Sequence, residues 1–218
     1  VRWRHRRAHA PGAGRCARFA HMSWGSLIFR LGVATLRRPT LAIDLLRRMD
    51  VRAVARPIVE TLSAELQETV HLGWLEGADV RFILSVESTR ALRVGGRLGR
   101  SMPAHCTSTG KALLAQLSDD EFHRLYPQEE LPQMTPNSIG TRTDLVRALT
   151  EIRSRGYATS AEESEEGVGS LAAALPSARA PQLALNVSMP ISRMNDESRT
   201  TVRVAVLAAA AELDQLLA

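Results

Sequence analysis

The sequence predicts an α+β fold, an antiparallel sheet with helices on both sides, and three observations carry that reading. Two pairs of strand-like segments, 70–74 with 80–86 and 169–175 with 183–189, each read as a hairpin-like unit. Amphipathic helical patterns lie before, between and after these pairs. The strands therefore cluster rather than alternate singly with helices, which favours an antiparallel sheet over a parallel one. No internal repeat is present.

Along the chain, residues 1–25 hold Pro11, Gly12, Gly14 and six arginines without either period, and read as irregular or disordered. Residues 27–36 are apolar enough for a strand or the start of a helix, until Pro39 interrupts them. Residues 41–48 read as helix, with Leu41, Leu45 and Leu46 on one face. A stronger helix covers 51–67, where Val54, Ile58, Leu62 and Leu66 recur every four positions; Pro57 is expected to bend it or reset its start. Val70, Leu72 and Trp74 alternate with polar or small residues, 76–79 turn, and 80–86 return.

Gly95, Gly96 and Gly99 make the next stretch loop-like. A helix should start near Thr109 and carry Ala112, Leu113, Leu114 and Leu117. Ser118 with Glu121 forms a capping box for another. After a loop bearing Pro127, Pro132 and Pro136, a helix marked by Leu145, Leu149 and Ile152 stops at Gly156. Asn195 or Asp196 opens a terminal helix through Val202, Val206, Leu213 and Leu217.

Composition bounds the function. The 218 residues are 44% hydrophobic and 23% charged, ordinary for one large globular domain or a domain with an appendage. No apolar run approaches the roughly 20 residues of a membrane span, and no apolar stretch of a signal peptide follows the basic start. Cys16 and Cys106 form no disulfide or metal pattern, so a reducing cytoplasm is the expected setting. Charge is uneven: residues 1–56 carry thirteen arginines against Asp44 and Asp50, net +11, while the remainder is net −6 within a total of +5. Such an arm can bind nucleic acid. The plainer reading is a solvated tail under arginine-rich codon usage, since Lys111 is the only lysine among 28 basic residues.

Several motifs fail on chemistry. Ser108-Thr109-Gly110-Lys111 looks like the end of a phosphate-binding loop, but His105 and Ala112 stand where that loop needs Gly and Ser or Thr. The glycines at 12 and 14 mimic a dinucleotide fingerprint with no strand before it. His105 beside Cys106 suggests thiol catalysis, with His71 or His123 as base, yet neighbouring side chains diverge and a lone Cys is more often a buried apolar group. Glu162, Glu163, Glu165 and Glu166 read as a solvated loop rather than a metal site, with Gly167 and Gly169 letting it fold closely. No catalytic residues, metal or cofactor are expected.

Residues 99–115 (GRSMPAHCTSTGKALLA) resemble the signature of the effector-binding domain of IclR-family transcriptional regulators. Arg155-Gly156-Tyr157-Ala158 with Glu162, Glu163, Gly167 and Val168 resembles its second block. Val187-Ser188-Met189-Pro190 with Ile191, Ser192 and Arg193 resembles its third, in the same order and spacing. The resemblance covers the chain from about Phe29 onward and centres on 92–190. It implies a GAF-like sheet with a ligand pocket on one face, a homodimer or tetramer, and a winged helix-turn-helix that binds DNA under control of a small metabolite, an organic acid or aromatic catabolite. Carried over by position, the pocket comprises Ser108 and Thr109 at a helix start, Ser160, Ser170, Asn186 and Ser188, with Leu92, Val94 and Met102 as its apolar wall. Ser160 and Ser170 depart from relatives that carry an acid and a cysteine there, which implies a less acidic pocket.

The resulting division is a basic tail at 1–28 as remnant of a DNA-binding region, a linker and helical segment at 29–50, and an effector-binding domain at 51–218. Only 29 residues precede Arg30-Leu31-Gly32, against about 60 for a winged helix-turn-helix, so the DNA-reading domain is expected to be missing. The expected function is a ligand-responsive repressor or activator without enzymatic activity. The alternative is a metabolite-binding module that does not bind DNA. Helix 51–67 and the terminal helix are the candidate dimer surfaces.

Overall fold

The structure is a computed structural model that describes residues 38–177 and 182–218, with side chains from Val51 onward. It divides into two compact units, Val1–Leu45 and Leu46–Ala218. Of the first, only the helical residues from Arg38 are described; the expectations for 1–28, for 27–36 and for Cys16 lie outside the described residues.

Helix α1 (Arg38–Leu66) joins the two helical segments expected from the sequence and runs through Pro57. Pro57 and Ala53, whose carbonyl it leaves without a helical partner, are both exposed, so water can take the freed bond. Ile58 and Leu62 are buried as their spacing predicts; Ala55 and Val59 join them, and Val54 and Leu66 are only half-buried.

Strands β1 (Thr69–Glu76), β2 (Asp79–Val86), β3 (Ser101–Pro103), β4 (Ala158–Ala161), β5 (Val168–Ala174) and β6 (Leu183–Pro190) form one sheet, in the order β3-β2-β1-β6-β5-β4. All pairs are antiparallel. Both expected hairpins form, and β1 with β6 joins them. Strands β3 and β4 were not expected; at three and four residues on the edges, they are too short for alternation to mark them.

Helix α1 and the terminal helix α5 (Asp196–Leu216) cover one face, packing Val59, Leu62, Val206 and Leu213 on Leu72, Leu171, Leu185 and Val187. Helices α2 (Ser108–Leu114), α3 (Asp119–Leu125) and α4 (Arg142–Arg155) cover part of the other, with Leu113, Leu114, Phe122, Leu145 and Leu149 beside Phe82 and Ala172. Each such side chain taken wholly from water contributes about 1.5–3 kcal/mol. The Ser118–Glu121 capping box opens α3, and Gly156, at φ 80°, closes α4 in the left-handed conformation glycine tolerates.

One irregularity shapes the site. Leu72 pairs with Leu84 but Gly73 pairs with Phe82, so Ile83 is an extra residue on β2. Ile83 and Leu84 both enter the α1/α5 core. Val80 and Phe82 stay on the opposite face, and Ser85 follows them there as the partner of His71.

Candidate functional site

The sheet face turned toward α2 carries two rows of small and polar residues. Ser160, Ser170, Ser188 and Thr69 lie opposite one another across β4, β5, β6 and β1. In the next row Ala158, Ala172, Asn186, His71 and Ser85 do the same across β4 to β2. Directly opposed residues of antiparallel strands share a face, so pairing turns five distant segments into one surface.

The start of α2 rests on that surface. Its N-cap Thr107 accepts a hydrogen bond from the Gly110 amide at 2.9 Å. Ser108 Oγ lies 2.7 Å from Ser170 Oγ and accepts from Asn186 Nδ2 at 2.7 Å. Asn186 Oδ1 accepts from Ser188 Oγ at 2.6 Å and stands 3.2 Å from His71 Nδ1. Asn186 is thus the hub of the network. Thr109 sits over Gly73, where an added Cβ would come within 3.0 Å of its methyl group.

The loop between β2 and β3 closes a second side. Thr69 Oγ1 donates to the Val94 carbonyl at 2.6 Å. Arg97, only 4% exposed, lies over the Phe82 ring with its guanidinium carbon 6.0 Å from the centroid. It reaches Glu165, in the β4–β5 loop, at 3.2 Å. The Phe82 ring in turn meets the His71 ring at 5.2 Å between centroids.

Three buried polar atoms here, His71 Nε2, Ser85 Oγ and Thr109 Oγ1, make no well-formed hydrogen bond among the described residues, although the Gly95 carbonyl interacts with the His71 ring. They belong to one neighbourhood: Ser85 pairs with His71, and Thr109 covers Gly73, two residues along the same strand. Buried polar atoms are ordinarily paired, because leaving one unsatisfied costs about 1–3 kcal/mol.

Burial, reinforced by the Arg97 cation, pushes the His71 imidazole down to about 3, against the opposing pull of Asn186 and the Gly95 carbonyl. The ring is therefore neutral at physiological pH. The unfolded chain takes up this proton below pH 6.5 and the folded one does not, so stability is lost as pH falls from 6.5 toward 3. Up to about 1.4 kcal/mol per pH unit is at stake. His71→Gln should flatten the urea-denaturation midpoint between pH 6.5 and 4.5 relative to wild type; parallel profiles would refute the assignment.

Of the residues singled out from the sequence, Ser108, Thr109, Ser160, Ser170, Asn186 and Ser188 are all buried on this face or over it. Val94 joins them through Thr69. Met102 pairs with Val80 and packs under α2, in the apolar cluster beside the polar rows. Leu92 is not gathered with them: the residue is 64% exposed and its carbonyl accepts from Arg193 at 3.1 Å. His71 as a site residue, Ser85, Phe82 and Arg97 were missed. Gly95 and Gly96 beside Arg97 were the one available signal, since glycines let backbone lie close to a site.

The discarded motifs also find places. His105 and Cys106 share a short 3-10 turn, and both reach the Pro132 carbonyl, at 2.8 and 3.9 Å; adjacency does not make them diverge here. Burial raises the Cys106 thiol, which disfavours the thiolate that nucleophilic chemistry needs. The acidic run is not a uniformly solvated loop: the Glu163 carboxylate is buried against Lys111 at 2.5 Å. Among the described residues no cluster of His, Cys, Asp and Glu could hold a metal, and no helix is long and apolar enough to cross a membrane.

Comparison with known proteins places this arrangement. A family model described as the bacterial transcriptional regulator IclR C-terminal domain matches residues 43–215. The transcriptional regulator XynR of Escherichia coli is 31% identical over 80% of this chain and 69% of its own length. The crystal structure of the Thermotoga maritima IclR superposes with a TM-score of 0.74 at 26% identity, over 83% of this chain and 74% of that one. An inducer-binding domain of the PobR transcription factor from Acinetobacter, a double mutant in complex with 3-hydroxybenzoic acid, gives a TM-score of 0.68 at 26% identity, over 75% and 97%. The chain spans between 53% and 69% of the length of three curated relatives it matches, all transcriptional regulators and none an enzyme.

Proposed function

Because the chain belongs to the IclR family of bacterial transcriptional regulators, we propose that the polar sheet face is an effector site and that the protein is the sensing part of a ligand-responsive regulator in the cytoplasm. The observation that carries this reading is the convergence, on one sheet face, of three buried polar atoms without well-formed hydrogen bonds. A polar small molecule seated there would supply the missing partners. The residues meeting it are Ser108, Thr109, Ser160, Ser170, Asn186 and Ser188, joined by His71 and Ser85, with Val94 and the Phe82 ring as apolar contacts. A small organic acid or an aromatic catabolite fits this mixture of hydroxyls and ring, and the PobR domain similar to this one holds 3-hydroxybenzoic acid. Effector occupancy would then change affinity for DNA, a coupling between two sites rather than catalysis. A homodimer or tetramer is the proposed assembly.

Thermal denaturation in the presence of a panel of organic and aromatic acids tests the site. A ligand at a hundredfold its Kd adds about 2.7 kcal/mol, which for a domain of this size raises Tm by roughly 5–10 °C. Asn186→Leu, which keeps the volume and removes the hub, should abolish the rise, and the milder Ser188→Ala should reduce it. A panel that leaves the wild type unmoved, or a rise that survives Asn186→Leu, counts against the site.

A further inference from the structure

Among the arginines with described side chains, Arg97 is the one buried on this face, and its ionic partner is poorly matched to it. Its side chain is 5% exposed, whereas that of Glu165 is 56% exposed. The contact is a single one, Nη2 to Oε2 at 3.2 Å, from a guanidinium with five donors to offer. A half-exposed carboxylate is screened by water and returns little of what burying the cation costs. Burial accordingly lowers the Arg97 pKa despite Glu165.

The pair also spans the site. Arg97 lies over Phe82 of β2, and Glu165 belongs to the loop that leads into β5. Strands β1 and β6 lie between β2 and β5, a distance of about 14 Å at the usual strand spacing. The bridge therefore links the two loops that flank the polar face. Two other buried carboxylates of the domain are paired elsewhere: Glu163 with Lys111, and Glu68 with Arg193 and Arg90.

We propose that Arg97 is the anion-recognising residue of this pocket, and that Glu165 is a placeholder which a ligand carboxylate displaces. This rests on the effector-site reading and narrows it to ligands bearing a carboxylate. A planar carboxylate offers the guanidinium two parallel charge-assisted bonds in a site closed to water, in place of one bond at its rim. The unpaired atoms of Ser85, Thr109 and His71 meet the neutral part of the same ligand. Displacement frees Glu165, and with it the β4–β5 loop, from its tie across the sheet.

Calorimetric titration with 3-hydroxybenzoate and acetate, each beside its primary amide, reads this directly. Wild type should bind each acid at least tenfold more tightly than its amide. Arg97→Gln should weaken the acids roughly 10- to 100-fold, as expected for a hydrogen-bonded charge, and leave the amides within about threefold. Glu165→Gln, without the competing charge, should strengthen the acids by several-fold. Acids and amides that bind equally, unchanged by Arg97→Gln but lost in Asn186→Leu, overturn the inference and leave the pocket standing. No binding of any probe to wild type or Glu165→Gln overturns it too, and failure of the wider acid panel above would then remove the pocket as well. Urea midpoints check that the variants fold. If Arg97→Gln does not, absence of gain in Glu165→Gln is enough to refute the proposal.

Discussion

Lys111→Met should destabilise the domain by about 3–5 kcal/mol at neutral pH, read by urea denaturation, because it strands a buried carboxylate. Lys111 Nζ donates to both oxygens of Glu163, at 2.7 and 2.5 Å, with side chains 5% and 13% exposed. Burial raises the Glu163 carboxyl and lowers the Lys111 ammonium, in each case against the attraction of the partner. The pair therefore fixes geometry more than it adds stability: it ties α2 to the β4–β5 loop that also carries Glu165. Without the ammonium the Glu163 carboxyl rises further. A group whose folded pKa lies above its unfolded value, here 4.5, destabilises at high pH and less as pH falls toward that value. The loss should thus be visibly smaller at pH 5 than at pH 7.5. Lys111→Met with Glu163→Leu should recover most of it. A deficit below about 1 kcal/mol, independent of pH, would show that the pair does not anchor the loop.

Gly110→Ala should be as damaging, for a steric reason. A Cβ at Gly110 would stand 2.2 Å from the Ala104 carbonyl oxygen and 2.3 Å from the Ala104 Cα. Both are backbone atoms of the turn before α2, with no flexible side chain to yield. The helix must lift, and Ser108 and Thr109 lift with it, so a loss of about 3 kcal/mol or more is expected together with the ligand response. Gly169→Ala is the control. Its Cβ would also clash, at 2.4 Å, but with Met194 Sδ, the far part of an adaptable side chain. It should cost about 1 kcal/mol. Equal losses in the two variants would mean that the close approach at Gly110 is not what seats α2.

Much of this fold was readable before the structure. The alternation of Val70, Leu72 and Trp74, the capping box at Ser118 and the terminating Gly156 are local signals, and the structure has them where they were expected. Signals that depend on a partner strand were not readable. Nothing in residues 80–86 announces that Ile83 is a bulge, so the phase that puts Phe82 and Ser85 on one face was hidden. Likewise Glu162 to Glu166 read as one solvated run, although Glu163 turns inward and Glu165 crosses the sheet.

By itself, the sequence determined the fold class, the family and the fact that Asn186 and Ser188 share a face. Periods of 2 and 3.6 residues, and motifs in fixed order, survive in the chain without any knowledge of its neighbours. Only the tertiary structure decided that Asn186 meets His71, 115 residues away, and that one arginine in a glycine-rich loop is buried while most of the other described ones stay in water. Those facts come from strand order and register, which depend on which segments bury one another. In the proposed site it is the buried Arg97, more than any residue legible in the signature, that would supply the charge.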